Sequence, residues 1–341
     1  MKDKKIIIRA DGNARIGAGH LMRCLTIAEA IPDKSIVGFV CADEDSAALT
    51  REMGYETAVL HTDYKEMESE APVWEKLLGD QGEKVILVDS YYVTNPYLTD
   101  LAKYGKIVLL DDMAKTPWNV WALINYNAFA TDEMYEALNS PYEAKVYTGG
   151  SYIPIRKQFC DRGYEVRKKA EHVLITTGGG DQDNIAGQIL TQIQSEKCHY
   201  HVVTGRFNPH YDTLMGMAER YPNIHIYHNV KNMAQLMEQC DLAVTAGGTT
   251  VYELSAIGVP FVCFSYAENQ EKLTEYVGRE NVAGYGGAFH KEPEVTLQQI
   301  GKLIDMLTED HNLRLQYSQR EKTLVDGQGA ARIAEILLSA Q

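Results

Sequence analysis

Short apolar, β-branched runs alternate with helix-like stretches along this entire chain, and that alternation restricts its fold more than any other feature. In the first half the strand candidates are Ser35 to Cys41, Thr57 to Leu60, Lys84 to Val88, Lys106 to Leu110 and Ala122 to Asn125, preceded by Lys5-Ile6-Ile7-Ile8. A second series begins at His172 to Thr177 and continues through Tyr200 to Thr204, Ile224 to Tyr227, Leu242 to Thr245 and Pro260 to Phe264. Strands that alternate with helices form parallel sheets covered on both faces, so the expected class is α/β. At 341 residues the chain exceeds what one core usually supports. We therefore expect two Rossmann-like, doubly wound domains facing across a cleft.

The boundary is placed by punctuation. Gly149-Gly150-Ser151-Tyr152-Ile153-Pro154-Ile155-Arg156 breaks the alternation, and a charged stretch from Arg162 to Glu171 follows. This gives an N-terminal domain over 1–158, a C-terminal domain over 165–325, and a last helical segment over 326–341 with the option of packing back across the boundary.

Ligands of open α/β sheets bind where a strand hands over to a helix. The first such junction reads Arg9-Ala10-Asp11-Gly12-Asn13-Ala14-Arg15-Ile16-Gly17-Ala18-Gly19-His20-Leu21-Met22-Arg23. A dinucleotide fingerprint requires a third glycine where Met22 stands, and a phosphate P-loop requires a Gly-Lys-Ser/Thr ending that is missing. Two readings remain. Gly17 and Gly19 either open the backbone to a substrate beside a proton-transferring His20, or they form a turn carrying a structural histidine.

The second half has two more glycine-rich junctions. Gly178, Gly179 and Gly180 precede one helix, while Gly247, Gly248, Thr249 and Thr250 open another. Free amides at a helix N-terminus, aided by hydroxyls, suit a diphosphate. Glu253, about one turn into that helix, has the reach to bind a ribose diol; the plainer alternative is a carboxylate complementing the helix dipole. Asn269 and Gln270 follow an apolar strand, where carboxamides either meet sugar hydroxyls or only water.

A net charge of −14 argues against general nucleic-acid binding, which needs clustered cations. No apolar run approaches the ~20 residues of a membrane span. The six dispersed cysteines read as reduced core residues, consistent with a cytoplasmic protein. No side-chain cluster has metal-ligand spacing, and His199-x-His201 reads as flanking a strand start. Neither a metal nor another cofactor is expected.

Taken together, Gly-Gly-Thr-Thr-Val-Tyr-Glu-Leu from Gly247, the following Gly-Val-Pro, and Asn269-Gln270 resemble the nucleotide-sugar domain of MurG-type GT-B glycosyltransferases. The N-terminal Arg-Ala-Asp-Gly-Asn and Ile-Gly-Ala-Gly-His-Leu-Met-Arg are similar to the PseG/SpsG family of UDP-sugar hydrolases and spore-coat polysaccharide proteins. Val88-Asp89-Ser90-Tyr91, Leu110-Asp111-Asp112, Asn125-Tyr126-Asn127-Ala128 and Gly178-Gly179-Gly180-Asp181 occur in that family's order. Ser90, Gly180 and a longer C-terminus depart from its pattern.

The resemblance implies a UDP-sugar substrate of the 2,4-diacetamido-2,4,6-trideoxyhexose type, in pseudaminic acid or surface polysaccharide biosynthesis. It places uracil against Val230 and Met233, ribose on Glu253 and the sugar near Asn269 and Gln270. His20 becomes the general base that activates water for inverting attack at the anomeric carbon, with Asp11 to orient it or hold a sugar hydroxyl and Tyr91 in the active site. The alternatives are a glycosyltransferase that gives the sugar to a hydroxyl acceptor, and a nucleotide-sugar binding protein without catalysis.

Overall fold

The computed structural model describes residues 1–13, 15–79, 84–178, 180–205 and 208–341. The chain divides into two compact units, Met1–Pro154 with Gln328–Gln341, and Ile155–Gly327.

The first unit has seven strands: β1 (Ile6–Ala10), β2 (Val37–Cys41), β3 (Glu56–Val59), β4 (Lys84–Asp89), β5 (Gly105–Leu110), β6 (Ala122–Asn125) and β7 (Lys145–Thr148). They pair in parallel in the order 3-2-1-4-5-6-7. Ile6, Ile7 and Ile8 of β1 are all inaccessible, with Ile6 and Ile8 in one core and Ile7 in the other. A central strand with a core on each face must be apolar at every position, which is why it reads as a continuous run. Full burial of each such side chain contributes about 1.5–3 kcal/mol. Ile333, Ala334 and Leu337 of the C-terminal helix Gly329–Ser339 complete the first of these cores.

The second unit contains β8 (His172–Thr176), β9 (His199–Thr204), β10 (Ile224–His228), β11 (Leu242–Ala246), β12 (Phe261–Ser265) and β13 (Gly284–Ala288). Their order is 10-9-8-11-12-13, again parallel. In both units the order reverses beside the first strand, creating the crevice at the strand carboxyl ends where such sheets receive ligands. Among the described residues, no helix is long and apolar enough to cross a membrane.

Two strands escape sequence patterning for opposite reasons. β7 is a half-exposed edge strand that opens on Lys145. β13 reads Gly-Tyr-Gly-Gly-Ala, a composition of low strand propensity. Its glycines allow close packing on two sides: a side chain on Gly284 would press on Val262 of β12, and one on Gly286 on Ile300 of the helix Pro293–Glu309.

Glu321 is fully buried on the helix His311–Leu324, and neither carboxyl oxygen has a hydrogen-bond partner. Burial pushes its pKa well above the ordinary range, against weaker opposition from the Phe261 backbone and Lys322. An acid whose folded pKa is raised stabilises most below its unfolded value and loses that contribution as pH rises. Glu321→Leu should therefore stabilise the protein by about 1–3 kcal/mol at pH 7, through removal of an unpartnered buried polar group. Thermal melts from pH 5 to 9 check this: the gain should widen with pH, and a constant or negative difference would refute it.

Candidate functional site

In the first unit, β1 ends in a loop that leads into the helix Gly19–Glu29. Gly17, at φ +74°, closes this loop with its amide on the Asn13 carbonyl, 2.9 Å away. Gly19 is the first helical residue and His20 the second; the preceding Ala18 supplies no side-chain cap. The helix start therefore keeps unsatisfied amides beside the imidazole.

His20 lines a pocket, partly open to solvent, with Asp11, Ile16, Tyr64, Asp89, Ser90, Tyr91 and Tyr92. Its Nδ1 lies 2.7 Å from Oδ1 of Asp89, the last residue of β4. Asp89 is 1 % exposed. Burial opposes its ionisation, but the charges and hydrogen bonds of Arg23 and His20 outweigh that and hold it well below the usual carboxylate range. An ionised carboxylate only accepts hydrogen bonds, so Nδ1 is the ring nitrogen that donates to it, and in the neutral imidazole this leaves the lone pair on Nε2.

Arg23, one turn after His20, fixes this arrangement. Its Nε donates to Asp89 Oδ2 at 2.5 Å while Nη2 donates to Oδ1, forming a two-pronged pair. Nη1 donates to Asp112 Oδ2 at 3.0 Å and to the Tyr126 hydroxyl. Tyr91 joins from the pocket rim: its hydroxyl donates to Asp112 Oδ2 at 3.0 Å, and its ring meets the His20 ring edge-on at 4.5 Å.

Asp11 lines the same pocket, but it does not orient His20. Residues two apart on a strand share a face. Arg9 therefore reaches Asp11, with Nη1 2.5 Å from Oδ2, while the Ala42 amide donates to Oδ1 at 2.7 Å. Arg9 is itself buried against Glu70, through Nε at 3.0 Å and Nη2 at 2.5 Å. Asp89, Arg23, Asp112 and Tyr126 complete this network, and no local sequence pattern marks them for it. The i, i+2 spacing of Arg9 and Asp11 was the available sign that Asp11 was already engaged.

In the second unit, Gly247 and Gly248 join β11 to the helix Thr249–Ile257. A side chain on Gly247 would come within 2.4 Å of Thr274 Cγ2, so only glycine lets the turn lie against the helix Glu268–Arg279. Gly248 gives the new helix no side-chain cap, leaving the first amides at Thr249 and Thr250 for an anion. Thr249 is exposed and Thr250 half-buried.

Glu253 is nearly buried and receives Arg156 Nη2 on Oε1 at 2.7 Å. Arg156 closes the Gly-Gly-Ser-Tyr-Ile-Pro-Ile-Arg motif, a position that carries no local sign of this role. Gly178 follows β8 at φ +93°, a conformation that favours glycine; Gly179 lies outside the described residues. Asp181 then accepts from the Ile185 and Ala186 amides at 2.6 and 3.0 Å, anchoring the next helix. After β10, half-buried Val230 and buried Met233 flank Asn232, whose Oδ1 accepts from the Gln235 amide at 3.2 Å. Asn269 is exposed on the first turn of its helix. Gln270 is buried, and its Oε1 takes the Tyr266 amide at 3.1 Å, which commits that oxygen to the turn.

Two parallel doubly wound units with loops of this kind define the GT-B class, and solved structures bear this out. The fold matches MurG of Acinetobacter baumannii with a TM-score of 0.67 over 98 % of this chain and 99 % of that one, at 14 % identity. Residues 169–335 match the Glycosyltransferase family 28 C-terminal domain. Within this class, the chain resembles the PseG/SpsG group. It is 28 % identical to the UDP-2,4-diacetamido-2,4,6-trideoxy-beta-L-altropyranose hydrolase of Campylobacter jejuni, over 81 % of this chain and 97 % of that protein. It is 24 % identical to the spore coat polysaccharide biosynthesis protein SpsG of Bacillus subtilis, over 97 % and 96 %.

Proposed function

We propose that this protein hydrolyses a UDP-sugar of the 2,4-diacetamido-2,4,6-trideoxyhexose type, releasing UDP and the free sugar. The observation that carries the reading is His20 in its pocket, with Nδ1 committed to a buried, ionised Asp89. The similarity to the Campylobacter hydrolase supplies the substrate class.

Roles divide between the units. Thr249 and Thr250 amides bind the diphosphate, Glu253 binds the ribose through the oxygen that Arg156 leaves, and Val230 with Met233 bracket the uracil. Gly178 keeps the opposing turn clear for the nucleotide. Gly17 and Gly19 open the first-unit loop to the sugar, and Tyr91 with Asp11 lines its pocket.

His20 Nε2 removes a proton from water as the water oxygen bonds to the anomeric carbon. The bond from that carbon to the diphosphate oxygen breaks, and its electron pair leaves with UDP. Attack opposite the leaving group inverts the carbon. Amides at the helix start stabilise the departing charge without reorganising.

The likeness to glycosyltransferases favours a second reading, in which the same base deprotonates a sugar hydroxyl. Incubation with the UDP-sugar alone separates the two. Multiple turnovers to UDP and free sugar are expected, whereas turnover only after adding an acceptor would establish the transferase.

A further inference from the structure

Four histidines gather on one face of the second sheet, at the strand starts opposite the candidate nucleotide loops. His172 opens β8, His199 and His201 lie on β9, and His225 lies on β10. Strand register makes the group: His172 pairs with His199, and His201 with His225. The rings overlap in a ladder, with centroids 5.2 Å apart for His172–His199, His172–His201 and His201–His225, and 5.6 Å for His199–His225.

Ring nitrogens bond directly to each other. His172 Nδ1 and His201 Nε2 are 2.9 Å apart, His201 Nδ1 lies 3.0 Å from the Tyr227 hydroxyl, and His199 Nδ1 and His225 Nε2 are 3.3 Å apart. With both rings neutral, two proton orders satisfy the first chain: Tyr227 donates to His201 Nδ1 while His201 Nε2–H donates to His172 Nδ1, or the direction of both bonds reverses, with His172 Nδ1–H donating to His201 Nε2 and His201 Nδ1–H to the Tyr227 oxygen. Protons on both rings set two N–H groups against each other across the 2.9 Å contact, and each added proton places a cation among stacked neighbours.

Tyr227 and Asp241 also face the ladder, and Cys240 acts on Tyr227. Asp241 gives little compensation, because Arg167 takes Oδ1 at 2.8 Å and the Glu171 and His172 amides take Oδ2, each at 2.8 Å. Among the described residues no three His, Cys, Asp or Glu side chains converge as metal ligands, so the arrangement favours proton sensing over metal binding.

We propose that this imidazole ladder is an acid-sensitive latch that holds β8, β9 and β10 together when neutral and loosens them when protonated. β8 leads directly into Gly178 and β10 into the Val230–Met233 segment, so the latch spans the strands that carry two candidate nucleotide loops.

Burial, followed by repulsion from His172, His225 and His199, lowers the His201 pKa to about 4, and His225 is lowered for similar reasons. A histidine with a lowered folded pKa takes up protons preferentially in the unfolded state. Its stabilisation is complete above the unfolded value near 6.5 and is lost as pH falls from there towards the folded value.

The test is thermal unfolding of the full chain between pH 8 and pH 4, comparing wild type with His201→Gln and His225→Gln. The folded-to-unfolded ratio of the wild type should fall on the order of a hundredfold more than that of His201→Gln between pH 7 and 4. His225→Gln should show a smaller change in the same direction. Should His201→Gln not fold, His225→Gln and an NMR titration of wild-type imidazoles decide the matter: His201 should remain neutral below pH 5. Parallel pH curves for wild type and variants, or independent titration of all four rings near 6.5, would overturn the proposal.

Discussion

His20→Ala is expected to lower turnover of the UDP-sugar by about 100- to 10,000-fold, the usual contribution of a positioned general base, while UDP binds as tightly as before. The two expectations separate because the proposed nucleotide contacts come from Thr249, Thr250, Glu253, Val230 and Met233, whereas His20 belongs to the first unit. Folding should survive the change. Asp89 keeps both prongs of Arg23 and a contact from Cys24 Sγ at 3.5 Å, so no buried charge is left alone. Single-turnover kinetics with titration of UDP binding measures both quantities. Near wild-type turnover on the authentic donor would remove His20 from the mechanism.

How much of this site was legible in the sequence follows from what fixes each contact. His20 stood out because a glycine-flanked strand-to-helix junction is a local pattern, readable within fifteen residues. Gly247 to Thr250 stood out for the same reason. Partners brought together by tertiary packing leave no local trace: His20 and Asp89 are 69 positions apart, Arg23 and Tyr126 are 103, and Arg156 and Glu253 are 97.

β1 and β4 are neighbours in the sheet, with Ala10 opposite Asp89, and this pairing brings the first helix start to the end of β4. Asp89 could be quoted as part of a motif but not assigned a task. The fold was more legible because its interior strands are apolar on both faces. The half-exposed edge of β7 and the glycines of β13 hide strands whose stability comes from neighbours rather than from their own residues.

Asp89→Asn should cost nearly as much activity as loss of the imidazole, about 100- to 10,000-fold, by moving a proton rather than removing a base. In the wild type, Arg23 Nη2 and His20 Nδ1 both donate to Asp89 Oδ1, and sharing that acceptor leaves the two nitrogens 2.9 Å apart. Once the anion becomes a carboxamide, Nδ1 is better used as an acceptor from Arg23, whose guanidinium can only donate. The imidazole proton then moves to Nε2, and the lone pair needed by the attacking water is gone.

The same substitution weakens a buried ion pair, leaving Asp112 as the one carboxylate bonded to Arg23 among the described residues, and breaking such pairs costs about 3–5 kcal/mol. Stability and catalysis must therefore be read separately. Turnover measured well below the melting temperature gives the kinetic loss, and ¹⁵N chemical shifts of the imidazole report the tautomer. The shifts should show Nδ1–H in the wild type and Nε2–H in Asp89→Asn. A variant that keeps the Nδ1–H form yet loses activity, or that changes tautomer and stays active, would break the link drawn between the buried carboxylate and the base.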